Sequence, residues 1–322
     1  MIDRAVPSAS GENVEAVLRE ELARGDAMAE TVLPILRHLI AAEDSSVFSD
    51  EILARIRGML ADLANGLLDA LAGGTGQRGG HVTGEAELLV RALIDNPALL
   101  SHLHALALEW QLTERLQLRL ALDPVVSPLV QAMISSADGT TQGLAMTYLA
   151  AQARWCQAQR RMTLPPRELP GDLLHGLLLT VRALVGGAPE MTERTARMEA
   201  GIRQSYDEGA SRLGLAARMI TSLGGEAQAA LSVAHAGVPL FLTALALGSG
   251  QARDTVVLST HEAQLARLAL ALRSAGLEPG DVEKQFLALH PEVTLPAGFD
   301  RVGPDLAAAI LSSGPPAGRY GA

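Results

Sequence analysis

A single cysteine, Cys156, stands in the 322 residues, so no intramolecular disulfide can form and the fold needs no oxidising compartment. Phe, Trp and Tyr together make up only 3% of the chain, which leaves Leu, Ala, Val, Ile and Met to build the interior. Lysine occurs once, as Lys284, and the remaining positive charge is arginine. A long apolar run is missing too. The longest uncharged stretch, Ala227 to Ala252, is broken by Gln228, Ser232, His235, Gly237 and Pro239. Its continuous apolar part falls far short of the roughly 20 residues a membrane span requires, so two short buried helices are expected instead. The first residues lack a basic stretch followed by an apolar core, so no signal peptide is expected and the protein reads as cytoplasmic.

Alternation of apolar and polar residues is nearly absent; the best strand candidate, Thr255–Ser259, is short and isolated. Helical periodicity fills the rest, punctuated by turn signals. Ser10 is placed to cap a helix to about Arg24, and a second runs from about Ala27 to Glu43. Ser49 caps another, with Asp50 and Glu51 in its first turn, where the helix dipole favours acids. Asn96-Pro97 and Asp123-Pro124 mark later starts. Stops fall at Pro165-Pro166, Gly186-Gly187, Gly224-Gly225, Gly276 and Pro291. The expected fold is all-α, a multi-helix array or irregular HEAT-like solenoid of about thirteen to fifteen helices. The hairpin His261–His290, turning at AGLEPGD, has the proportions of one HEAT-like unit.

The formal net charge of −10 is unevenly spread. Residues 1–72 hold 13 acids and 6 bases, a net −7; residues 73–187 hold 9 of each; residues 188–322 hold 14 and 11, a net −3. This divides the chain into an acidic N-terminal part at 1–72, a Gly-rich linker at 73–84, a central part at 85–187, a C-terminal part at 188–313 and a frayed tail at 314–322. The same acidity argues against a nucleic-acid partner, because it repels the phosphate backbone.

Motifs that carry chemistry fail on inspection. GGTGQRGG at Gly73–Gly80 lacks the lysine of a phosphate loop and follows no strand, so it reads as linker. His102 and His104 point about 200° apart on a helix and cannot share an ion. His81 and Glu85 make only a two-ligand set, and HEAQL from His261 lacks a second histidine four residues on. Cys156 lies late in a helix, where the dipole disfavours thiolate, and reads as a small buried hydrophobe. No catalytic residue, metal or cofactor is therefore expected.

The window Ala151–His175 stands apart. No acidic residue occurs between Asp138 and Glu168, while Arg154, Arg160, Arg161 and Arg167 give the interval four positive charges. These arginines either offset the negative end of a helix dipole and pair with acids elsewhere, or form a docking patch for an anionic partner. A second distinctive segment runs from Thr192 to about Leu223. Glu193–Arg197, Glu199–Arg203 and Glu208–Arg212 are i,i+4 pairs in the favourable order. Opposite them, Met198, Ile202, Gly209, Leu213 and Ile220 form a narrow seam. One continuous helix here would be about 48 Å long. It would pack inside the molecule, or self-associate along the seam as a homodimer.

The runs DPVVSPLVQAMISS from Asp123, LAMTYLAAQARWCQAQRRM, and LPPRELPGDLLHGLLLTVRAL to Leu184 resemble an alphaproteobacterial family of helical proteins of uncharacterised function. The resemblance covers about half the chain and implies a helical, HEAT-like fold; it carries no catalytic residue. Helical architecture without recognisable chemistry points to a non-enzymatic interaction or regulatory module that holds a protein partner. The alternative is a small-ligand-binding protein with an apolar pocket between helices and the Arg154–Arg167 region at its mouth. An enzyme with dispersed residues, drawn from Glu109, Glu114, Asp172 and His175, is a third reading.

Overall fold

The computed structural model describes residues 11–41, 50–73, 83–185 and 188–313. Among these residues there are fifteen α-helices, five short 3-10 helices and no strand. No described helix is long and apolar enough to cross a membrane. The chain divides into two compact units, each discontinuous in sequence. The first takes its residues from Met1–Val32, Leu112–Ala132 and Ile220–Gly321; the second from Leu33–Gln111 and Met133–Met219. This division differs from the linear one at residues 72, 84 and 187. Its boundaries fall inside helices, where neither charge balance nor glycine content carries a signal.

The helices are α1 (Gly11–Ala41), α2 (Asp50–Leu71), α3 (Thr83–Ile94), α4 (Pro97–Leu120), α5 (Pro128–Ile134), α6 (Gly139–Arg160), α7 (Gly171–Val185) and α8 (Pro189–Ser205). They continue with α9 (Arg212–Ser222), α10 (Val233–Ala236), α11 (Val238–Ser249), α12 (Arg253–Ser259), α13 (Leu265–Ser274), α14 (Pro279–Leu289) and α15 (Pro304–Ser313).

In the first unit α11 is the centre. Every residue from Val238 to Ala246 is buried, and α12, α13 and the 3-10 segment Gly224–Leu231 pack around it. The uncharged stretch thus becomes two short helices, α10 and α11, joined at Gly237 with φ +73°. Residues 255–259, the strand candidate, lie inside α12: the helix satisfies their backbone locally, and only Val256, Val257 and Ser259 are buried. The hairpin of α13 and α14 forms as expected.

The N-terminal region departs from expectation, since α1 is one helix with Pro34 inside it. The Gly25–Asp26 sequence read as a break is held helical by tertiary bonds. Gln264 Nε2 donates to the Gly25 carbonyl at 2.5 Å, and Arg267 pairs with Asp26 in the interior. A Cβ at Gly25 would stand 2.8 Å from the Ala263 carbonyl oxygen, so glycine is there for close approach. Asp123-Pro124 does not start a helix either. Asp123 Oδ1 accepts from the backbone of Val125 and Val126, both at 2.8 Å, which closes a turn. Helix α5 begins only after Ser127, whose hydroxyl accepts from Val130 N.

In the second unit α2 supplies a long apolar face. Ile52, Ile56, Met59, Leu60, Leu63, Leu67 and Leu71 are buried at helical spacing, and α3 and α8 pack on it. The long helix expected over 190–223 is broken. Helix α8 stops at Ser205, a 3-10 turn spans Glu208–Ala210, and α9 starts at Arg212. Asp207 Oδ1 accepts from Gly209 N at 2.9 Å and the Ser211 hydroxyl from Gly214 N at 3.1 Å, so local side chains divert the backbone. Of the Gly-rich linker only Gly73 (φ +85°), Thr83 and Gly84 are described; the rest of it and the tail at 314–322 lie outside the described residues.

Candidate functional site

Helix α6 and the loop after it carry the arginine window. Asp138 caps the helix, accepting from Thr141 N at 2.9 Å, Thr140 N at 3.3 Å and the Thr141 hydroxyl at 2.6 Å. These bonds, led by the Thr141 hydroxyl, hold the Asp138 carboxyl below its usual range. Ala145, Tyr148, Ala151, Gln152, Trp155, Cys156 and Gln159 make the buried face. The helix ends in two reverse bonds, Met162 N to Gln159 O at 3.1 Å and Thr163 N to Ala158 O at 3.0 Å. Met162 occupies the left-handed position (φ +56°) that usually falls to glycine. Helix α2 passes close by: a Cβ on Gly58 would stand 2.6 Å from Met162 Cβ.

The end of α6 and the loop after it are pinned at several points. Arg55 Nη1 donates to Gln159 O, Leu164 N donates to Asp62, and Tyr206 Oη donates to Leu169 O. Glu168 accepts from Arg212 N at 3.0 Å. On this framework Arg154, Arg160, Arg161 and Arg167 are all exposed. Arg167 approaches Glu168 at 3.9 Å; Arg154, Arg160 and Arg161 have no carboxylate partner among the described residues.

Beneath the window lies a buried stack that the sequence reading missed. Arg212 donates to Glu109 and lies 3.9 Å above the Trp155 ring. Trp155 meets Trp110 edge to face at 5.7 Å, and Arg55 sits 5.3 Å from the centre of the Trp110 ring. Arg212 was expected to pair along the helix surface with Glu208; the broken helix turns it inward instead. One sequence signal was available: both tryptophans directly follow a charged residue, Glu109-Trp110 and Arg154-Trp155. Glu109 is sealed by Arg212, which removes it from any accessible site. Cys156 is buried as expected, and burial, ahead of the Glu109 charge, pushes its thiol up to about 11 against the pull of Arg212 and Arg160.

The proposed seam does not exist as one stripe, because its residues fall on three elements. Met198 is buried and Ile202 half-buried on α8, Gly209 lies in the 3-10 turn, and Leu213 and Ile220 are on α9. Glu193–Arg197 is an exposed contact at 3.8 Å. Glu199 is buried and pairs first with Arg182 from α7, with Arg203 at 3.9 Å. His175, on α7, faces Arg203 at 3.1 Å.

His102 and His104 are buried on α4, and His261 Nδ1 accepts from Ala263 N, so these rings serve packing and capping. His81 lies outside the described residues. Among the described residues no three His, Cys, Asp or Glu side chains converge as metal ligands would. A cleft of about 450 Å³ between the end of α2 and α8 is lined by Leu71, Arg194, Arg197, Met198 and Ile202. Another of about 480 Å³, in the first unit, is lined by Ile220, Leu231, Ala244 and Leu247. Neither includes a residue of the arginine window. No family model, curated protein or solved structure matches this chain.

Proposed function

We propose that the protein is a non-enzymatic, cytoplasmic interaction module that holds an acidic segment of a partner protein on the arginines of α6 and the loop after it. The observation that carries this reading is the state of Arg154, Arg160 and Arg161: exposed, without carboxylate partners among the described residues, in a chain of net charge −10. Compensation of the helix dipole accounts for Arg160 and Arg161 but not for the whole set. That effect fades within the last turn, and Arg154 lies further back while Arg167 lies beyond the helix. The pinned loop favours binding, since little ordering remains to be done when a partner arrives. A pocket with these arginines at its mouth has less support, because neither cleft reaches them. The HEAT-like character rests on the α13–α14 hairpin and the resemblance noted above.

The test is the double reversal Arg160→Glu, Arg161→Glu, with poly-L-glutamate as probe. Binding to the natural chain should weaken steeply with salt and vanish in the variant. The melt should move by no more than the roughly 0–1 kcal/mol that exposed charges contribute. Equal binding by both proteins would overturn the proposal. A large loss of stability would make the window structural.

A further inference from the structure

The exposed face of α6 is longer than its arginines. Positions 143, 146, 150, 154, 157 and 161 follow one another at spacings of three and four, so they form a single stripe along the helix. All six are exposed. The stripe has two halves of different chemistry. Toward the C-terminus it is Arg154, Gln157 and Arg161, with Arg160 beside it; toward the N-terminus it is Gly143, Met146 and Ala150. Met146 is 51% exposed, one of the few large apolar side chains so placed in the second unit. Nothing stands within 4 Å of where a Cβ on Gly143 would be, so the backbone there is open to close approach. The span from Met146 to Arg160 is 14 residues, about 21 Å at 1.5 Å per residue.

We infer that the partner segment is an amphipathic helix, antiparallel to α6, with acidic residues in its first two turns and apolar residues about two turns further on. This deepens the docking reading and rests on it. Charge complementarity sets the direction. A helix favours Asp and Glu at its own N-terminus, and an N-terminus lying against the C-terminal end of α6 brings those acids to Arg154, Arg160 and Arg161. Running back along α6, the partner then lays its apolar residues over Met146 and Ala150 and crosses closely above Gly143. A disordered acidic tail would use the arginines and leave Met146 in water.

Two probes separate the cases: poly-L-glutamate, and an 18-residue helical peptide with four glutamates in its first two turns and leucines facing the same side thereafter. Binding is read by fluorescence anisotropy of labelled probes against the natural chain and Met146→Ser, whose exposed position leaves folding intact. The helical peptide should bind about tenfold or more tightly than poly-L-glutamate, as burial of one large apolar side chain allows. Met146→Ser should remove that advantage without changing the binding of poly-L-glutamate. Equal binding of the two probes, or an unchanged advantage in Met146→Ser, overturns the helical partner and leaves the docking reading standing. Failure of both probes to bind overturns both.

Discussion

Arg212 places its two terminal nitrogens 2.7 and 3.1 Å from the two carboxylate oxygens of Glu109, and the side chains are 2% and 0% exposed. Burial alone would lower the Arg212 pKa, but the charge and hydrogen bonds of Glu109 raise it above the ordinary guanidinium value. Arg212 therefore keeps its charge in the interior because the Glu109 carboxylate faces it, and each side chain depends on the other. The pair joins α4 to the start of α9, and its Trp155 contact ties in α6.

Removal of both partners should therefore cost less than the two single removals added together. Glu109→Leu or Arg212→Met alone leaves a buried charge unpaired and should cost about 3–5 kcal/mol. Glu109→Leu combined with Arg212→Met should cost clearly less than the sum of the single changes, because no charge is stranded. Urea unfolding of the four proteins gives the coupling. Additive losses would mean that the two residues act independently.

Cys156 should be inert in the folded protein. With its thiol pushed up to about 11, the thiolate is scarce at pH 8, and the side chain is buried besides. A disulfide reagent at pH 8 should label it only as fast as the protein unfolds, and at once in denaturant. Labelling of the native protein at the rate of a free thiol would contradict this.

His290 gives the stability a pH dependence. Burial lowers its pKa, the nearby Arg115 lowers it further, and Glu262 and the Thr260 backbone only partly oppose this. The unfolded chain takes up the proton near the ordinary value of 6.5, while the folded protein resists until a lower pH. Stability is thus retained above about pH 6.5 and lost as pH falls through that value toward the folded pKa. Melting temperature measured from pH 7.5 downward should decline over this interval, and less so in His290→Gln. An identical slope in the variant would assign the decline to other groups.

The fold class was legible because helix periodicity and turn residues are local properties. Asp50 and Glu51 at the start of α2, Asn96-Pro97 at α4 and the Val238–Ala246 core segment all follow from neighbours in sequence. What was not legible came from distance. Gly25 reads as a break until Gln264 and Arg267 are seen to hold it. Glu208 and Arg212 read as a surface pair until Glu109, more than a hundred positions away, claims the arginine. The arginine window was visible because its signal is compositional. Its exposure was not, since that depends on the absence of acids arriving from other helices.

The close passage of α2 past the end of α6 can be tested at Gly58. Alanine is the better helix former by about 1 kcal/mol, so Gly58→Ala would stabilise an isolated helix. Here the added Cβ would stand 2.6 Å from Met162 Cβ and 2.8 Å from the Met162 carbonyl oxygen, and the backbone at Met162 is fixed by the bonds that end α6. The substitution should therefore destabilise by about 1–3 kcal/mol, the usual range for overpacking. Met162→Gly should be tolerated, because it removes the opposing Cβ and suits the positive φ of +56°. Combined, Gly58→Ala and Met162→Gly should recover part of the single-site loss, the carbonyl contact accounting for the remainder. Thermal melts of the three variants decide the matter: a stabilising Gly58→Ala, or no recovery in the double variant, would mean that α2 and the end of α6 have room to move apart.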